Sequence, residues 1–137
     1  MKKRTTSLPL LTRGETDVMR VLWKRGQATV NEVVEDYTRP VAYTTVLTVL
    51  RVLEEKGYVT HHKELSGRAH VYRPAVDEQR AQRSHLRDLL ERMFSGRPDE
   101  MVNGLLDNER LTRADLEALR RRIDTKLGGG KSRGGDK

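Results

Sequence analysis

The sequence predicts a mainly α-helical protein that carries one small β-hairpin. Three observations support that class. Apolar residues recur at helical spacing in six separate stretches, two runs of β-formers flank a Ser66-Gly67 pair, and capping or turn residues mark the boundaries. Of the 137 residues only six are aromatic: Trp23, Tyr37, Tyr43, Tyr58, Tyr72 and Phe94. That supply is too small for one large core, so part of the apolar surface is expected to lie between chains.

Residues 1–7 carry no periodicity and read as a flexible basic arm. Thr12-Arg-Gly-Glu15 has the spacing of a capping box, with Val18, Met19, Leu22 and Trp23 following at helical spacing and Gly26 as the stop. A second box, Thr29-Val-Asn-Glu32, opens a helix through Val30, Val33, Val34 and Tyr37, which Pro40 closes. In the third helix, residues 42–57, Val46, Val49, Leu50 and Leu53 form a stripe to be buried. At about 100° per residue, Thr44, Thr48, Arg51 and Glu55 fall on the opposite face, with Thr45 and Leu47 beside them. Residues 58–65 and 68–74 are expected to be strands, with Lys63 and Arg68 near the tip of the hairpin.

The rest reads as helix. Leu86, Leu89, Leu90 and Met93 stripe residues 77–95; Gly96 interrupts, and Pro98 opens the next helix with Asp99 and Glu100 in its first turn. Met101, Val102, Leu105 and Leu106 continue the pattern. Thr112-Arg-Ala-Asp115 then caps a last helix through Leu116, Leu119, Ile123 and Leu127. The Gly-rich residues 128–137 are expected to be a disordered tail. The expected organisation is an arm (1–7), a three-helix-and-hairpin module (8–75), a helical region (76–127) and the tail.

The net charge is +7, with 13 Lys/Arg against 8 Asp/Glu in residues 1–75 and 14 against 12 in residues 76–137. A basic module beside a nearly balanced one suggests a polyanion-binding head joined to something else. The lack of cysteine excludes disulfides, thiol catalysis and thiolate metal sites. No apolar run approaches the roughly 18 residues of a membrane helix, and the segment after the basic N-terminus is a poor signal peptide. A cytoplasmic protein without direct membrane association is expected. Ser7, Ser66, Ser84, Ser95 and Ser132, four histidines and scattered carboxylates show no nucleophile or acid–base spacing, so no enzyme is expected. His61 and His62, adjacent on a strand, point to opposite faces, and no carboxylate cluster joins them or His70 and His85. Neither a metal nor another cofactor is expected.

Three short helices followed by a hairpin is the order of a winged helix, in which the third helix enters the major groove and the hairpin lies along the backbone. The third helix suits that role, because short threonines let it approach base edges closely. Tyr43, Thr44, Thr45, Thr48 and Arg51 are the candidate contacts on the helix; Lys63, Arg68 and His70 are the candidates on the hairpin. The apolar stripes in the second half exceed what so short a segment can hide. Leu86, Leu89, Leu90, Met93, Met101, Val102, Leu105, Leu106, Leu116, Leu119 and Ile123 are therefore the candidate surface of a two-fold dimer, an intramolecular three-helix cap being the alternative.

The residues also carry a resemblance. Leu11, Glu15, Val18, Met19, Leu22 and Trp23 in the first helix, Tyr43-Thr44-Thr45-Val46 with Thr48, Val49, Leu50 and Leu53 in the third, the Lys56-Gly57 turn, and Arg68, Tyr72 and Pro74 in the hairpin resemble the penicillinase-repressor family, BlaI/MecI with the CopY copper repressors. The likeness covers roughly residues 8–127. It implies a homodimeric transcriptional repressor of β-lactam-resistance or related stress-response genes, bound to an inverted TACA/TGTA-like operator. It also implies release by a membrane-bound sensor protease that cuts an Asn-Phe bond in the dimerisation half. Here that bond aligns with Gly104-Leu105, with Asn103 one residue away. The C-terminal cysteines of the copper-sensing members have no counterpart. Two other classes make different demands: a small-molecule-gated winged-helix regulator needs a pocket, and a nonspecific nucleic-acid binder presents Lys/Arg where this helix presents threonine.

Overall fold

The computed structural model describes residues 7–65, 67, 69–108 and 110–135, with side chains through Gly128. The chain runs α1 (Arg13–Arg25), α2 (Val30–Asp36), α3 (Tyr43–Glu55), β1 (Val59–Lys63), β2 (His70–Pro74), α4 (Glu78–Phe94), α5 (Pro98–Leu106) and α6 (Arg113–Gly135). It forms two compact units, Met1–Leu89 and Leu90–Lys137.

In the first unit, both expected capping boxes are made. The Thr12 hydroxyl accepts from the Glu15 amide at 3.2 Å while the Glu15 carboxylate accepts from the Thr12 amide at 2.8 Å. Thr29 and Glu32 repeat the exchange at 3.2 and 2.9 Å. Gly26 ends α1 at φ 92°, a left-handed conformation that costs glycine least. Val18, Met19 and Leu22 of α1, Val33 of α2 and Val46, Leu50 and Leu53 of α3 meet in one core with Tyr58 and Val59.

The strands pair antiparallel from Val59 opposite Pro74 to Lys63 opposite His70. They are shorter than expected. Tyr58 stays outside β1 because its amide closes the end of α3, donating to Leu53 O at 2.9 Å. Ser66 and Arg68 lie outside the described residues. Ala28, between α1 and α2, exchanges two backbone hydrogen bonds with Tyr72 at 2.9 and 2.8 Å, tying the hairpin to the helices.

Early α4, beyond the expected module end at residue 75, packs within the first unit. Val76, Ala81 and Ser84 are buried, and the Trp23 indole donates to Val76 O at 2.9 Å. Residues 8–11 are bolted to this part of α4: the Leu8 amide donates to Ser84 Oγ at 2.9 Å and the Leu11 amide to His85 Nε2 at 3.0 Å. The Tyr58 hydroxyl and the Lys56 ammonium take the Pro9 and Leu10 carbonyls. Of the expected arm, all but Ser7 lies outside the described residues.

In the second unit, Thr112 and Asp115 exchange hydrogen bonds at 3.0 Å each, the third expected cap. α6 runs from Arg113 to Gly135, into the residues expected as tail. Val102, Leu105, Leu106, Leu116, Leu119 and Ile123 are exposed.

Candidate nucleic-acid interface

α3 divides into two faces as its periodicity requires. Val46, Leu50 and Leu53 are buried, and Tyr43, Thr44, Thr45, Thr48 and Arg51 are exposed. Lys63 and His70 are exposed cross-strand partners at the turn end of the hairpin, and Arg68 lies outside the described residues.

A cleft of about 460 Å³ separates α3 from the hairpin. Tyr43, Leu47, Arg51 and Glu54 line it from the helix, and His61, His70 and Tyr72 from the strands. The structure thus gathers Tyr43, Arg51 and His70 around one groove, beside the threonine face. Glu54 and His61, which also line it, were not among the sequence candidates. His61 Nδ1 lies 2.8 and 2.9 Å from the two Glu54 carboxylate oxygens. The His61 ring also stacks on His70, centroids 4.9 Å apart, and tilts against Tyr72 at 5.3 Å. Glu54 is a single carboxylate beside the strand histidines. Among the described residues no group of three or more His, Cys, Asp or Glu could hold a metal ion. Burial, with Glu54 nearby, pushes the Tyr72 hydroxyl above its ordinary pKa, against the opposing pull of Arg51.

The signal for Glu54 was present in the sequence. Tyr43, Leu47, Arg51 and Glu54 follow one another at helical spacing along the flank of α3. His61 and His70 share a face only once the hairpin register is known, since His61 opposes Tyr72 and His70 sits diagonally from it.

Away from the threonine face, the end of α3 is tied to α1 by an ion pair. Lys56 Nζ lies 2.7 Å from Glu15 Oε1, and Glu15 is buried. Burial alone would raise the Glu15 pKa. Hydrogen bonds from Lys56 and Thr12, with the Lys56 charge, outweigh it and hold the carboxyl below its ordinary value.

The candidate dimer residues are exposed or half-buried within the single chain. Gly104 and Leu105 lie within α5, both exposed. Among the described residues no helix is long and apolar enough to cross a membrane.

The model of a family described as penicillinase repressor matches residues 11–125. The penicillinase repressor of Bacillus licheniformis is 32% identical over 114 residues, which cover 82% of this chain and 88% of that protein. The methicillin resistance regulatory protein MecI of Staphylococcus aureus strain N315 is 20% identical over 118 residues, 85% of this chain and 94% of that protein. The solution structure of the monomeric form of Bacillus licheniformis BlaI in complex with the blaP half-operator is 38% identical, covering 58% of this chain and 93% of that one, with a TM-score of 0.45. With its family match spanning most of the chain and its fold a winged helix, the chain belongs to the penicillinase-repressor family of DNA-binding transcriptional regulators.

Proposed function

We propose that the protein is a sequence-specific repressor that binds a dyad operator as a homodimer, reading bases with α3 and backbone with the hairpin. The observation that carries the reading is the exposed face of α3. Three threonines there offer hydroxyls and methyls to base edges without blocking entry to the groove, and Arg51 follows one turn later. Lys63, Arg68 and His70 are assigned to the backbone. The apolar positions from Leu86 to Ile123 are assigned to the two-fold interface, whose linkage of two heads raises the effective concentration of the second.

Family membership suggests an inverted TACA/TGTA-like operator before genes of β-lactam resistance or a related stress response, in the cytoplasm. Release is assigned to cleavage by a membrane-bound sensor protease at Gly104-Leu105. That bond lies inside α5, so a protease must first unwind the helix; Gly104 weakens it there by about 1 kcal/mol relative to alanine. Selection of bound duplexes from a random-sequence pool tests the reading. Enrichment of an inverted repeat with two equivalent half-sites is expected. A pool that stays random, or enriches single half-sites only, contradicts it.

A further inference from the structure

The cleft between α3 and the hairpin places a carboxylate where DNA binding has no use for one. Glu54 shares the cleft wall with Arg51. Unpaired, it would cancel the guanidinium and repel a phosphodiester. It is paired: His61 Nδ1 stands 2.8 and 2.9 Å from its two oxygens. The titratable groups that α3 turns into the cleft are Tyr43, Arg51 and Glu54. Among the described residues those of the hairpin are His61, His70 and Tyr72, and α2 with its cap adds the uncharged Thr29, Val30 and Asn31. With both imidazoles neutral, the described residues of the cleft hold one cation and one anion. A proton on His61 neutralises Glu54 and leaves the Arg51 charge uncompensated. His70 stacks on His61 at 4.9 Å, so a second proton there is opposed by the first.

Resting on the DNA-binding reading above, we propose that this cleft takes a backbone phosphate of the bound duplex, and that the phosphate enters together with one proton on His61. His61 is then a positioning residue: it acts by silencing Glu54 beside Arg51. Phosphate contacts carry no sequence information, so the proton dependence applies equally to operator and unrelated DNA.

The test is a fluorescence-anisotropy titration of the full chain with a TACA/TGTA dyad duplex and its scrambled twin, at constant ionic strength, from about pH 6 to about pH 8. Affinity for both duplexes is expected to fall as pH rises, by at most about tenfold per pH unit for one linked proton. Glu54→Gln keeps the acceptor and removes the charge. It should bind both duplexes more tightly than the wild type at the upper pH and lose most of the pH dependence. His61→Gln should bind at the lower pH as weakly as the wild type does at the upper. His61→Gln that retains the full pH dependence overturns the proposal, as does Glu54→Gln that binds more weakly than the wild type at the upper pH. Loss of the pH dependence in His70→Gln with its retention in His61→Gln overturns it too. Binding that is tight but independent of pH defeats this proposal alone; no binding to either duplex at any pH defeats the DNA-binding reading with it.

Discussion

Each threonine on the exposed face of α3 presents one hydroxyl and one methyl, and alanine removes the hydroxyl and shortens the reach. Thr45→Ala and Thr48→Ala are each expected to cost about 1–3 kcal/mol of discrimination between operator and scrambled duplex. Competition titrations check this, and equal losses on both duplexes would remove the residue from base reading. Glu15 gives a second prediction at this scale. Its folded pKa lies below the ordinary value of 4.5, so its contribution to stability is complete above that pH and is lost as pH falls through the folded value. In thermal melts, the gap between wild type and Glu15→Gln should hold from neutrality down to about 4.5 and close below it. A gap that persists on further acidification contradicts the assignment. Glu15 also shows what was legible at this scale. Its capping partner Thr12 was visible three residues away. Its ion-pair partner Lys56, 41 residues away, depends on how α1 crosses α3 and was not.

Among the elements, the two capping boxes, the buried stripe of α3 and its threonine face followed directly from local spacing, because each is decided within one or two turns. The hairpin was legible as two runs of β-formers, but its register was not. The Ala28 bridge to Tyr72 and the stacking of His61 on His70 arise only from pairing across the chain. The role of early α4 was hidden for the same reason: Ala81 and Ser84 are small residues without a periodic signal, yet they pack against the core and hold residue 8. Gly104 is the weak point of α5, and a Cβ there meets nothing within 4 Å. Gly104→Ala should therefore stabilise α5 by about 1 kcal/mol. If a sensor protease cuts this bond, it should also slow that cleavage several-fold in a time course with the cognate protease. An unchanged rate would place the cut elsewhere or make helix opening irrelevant to it.

For the whole molecule, the central question is how the exposed apolar positions of the second half are satisfied. Leu119 is 41% exposed in the single chain, in line with Leu116 and Ile123. Leu119→Asp places a charge in the proposed interface and should yield monomers by sedimentation at micromolar concentration, with operator affinity reduced far more than half-site affinity. A dimer that survives the substitution would put the interface on another surface. Family and fold were legible because they rest on many short-range signals that agree. The proposed dimer surface was legible only as a surplus of apolar residues, since a second copy of the chain would leave no other trace in the sequence.

The most direct test of the whole reading is a comparison of affinities for the TACA/TGTA dyad duplex and a scrambled duplex of equal length, each measured at two salt concentrations. A preference for the dyad of about 10³ or more is expected, with similar salt slopes on both duplexes because phosphate contacts are shared. Equal affinities with a steep salt slope would contradict it, leaving a nonspecific binder or one whose operator differs from the family's.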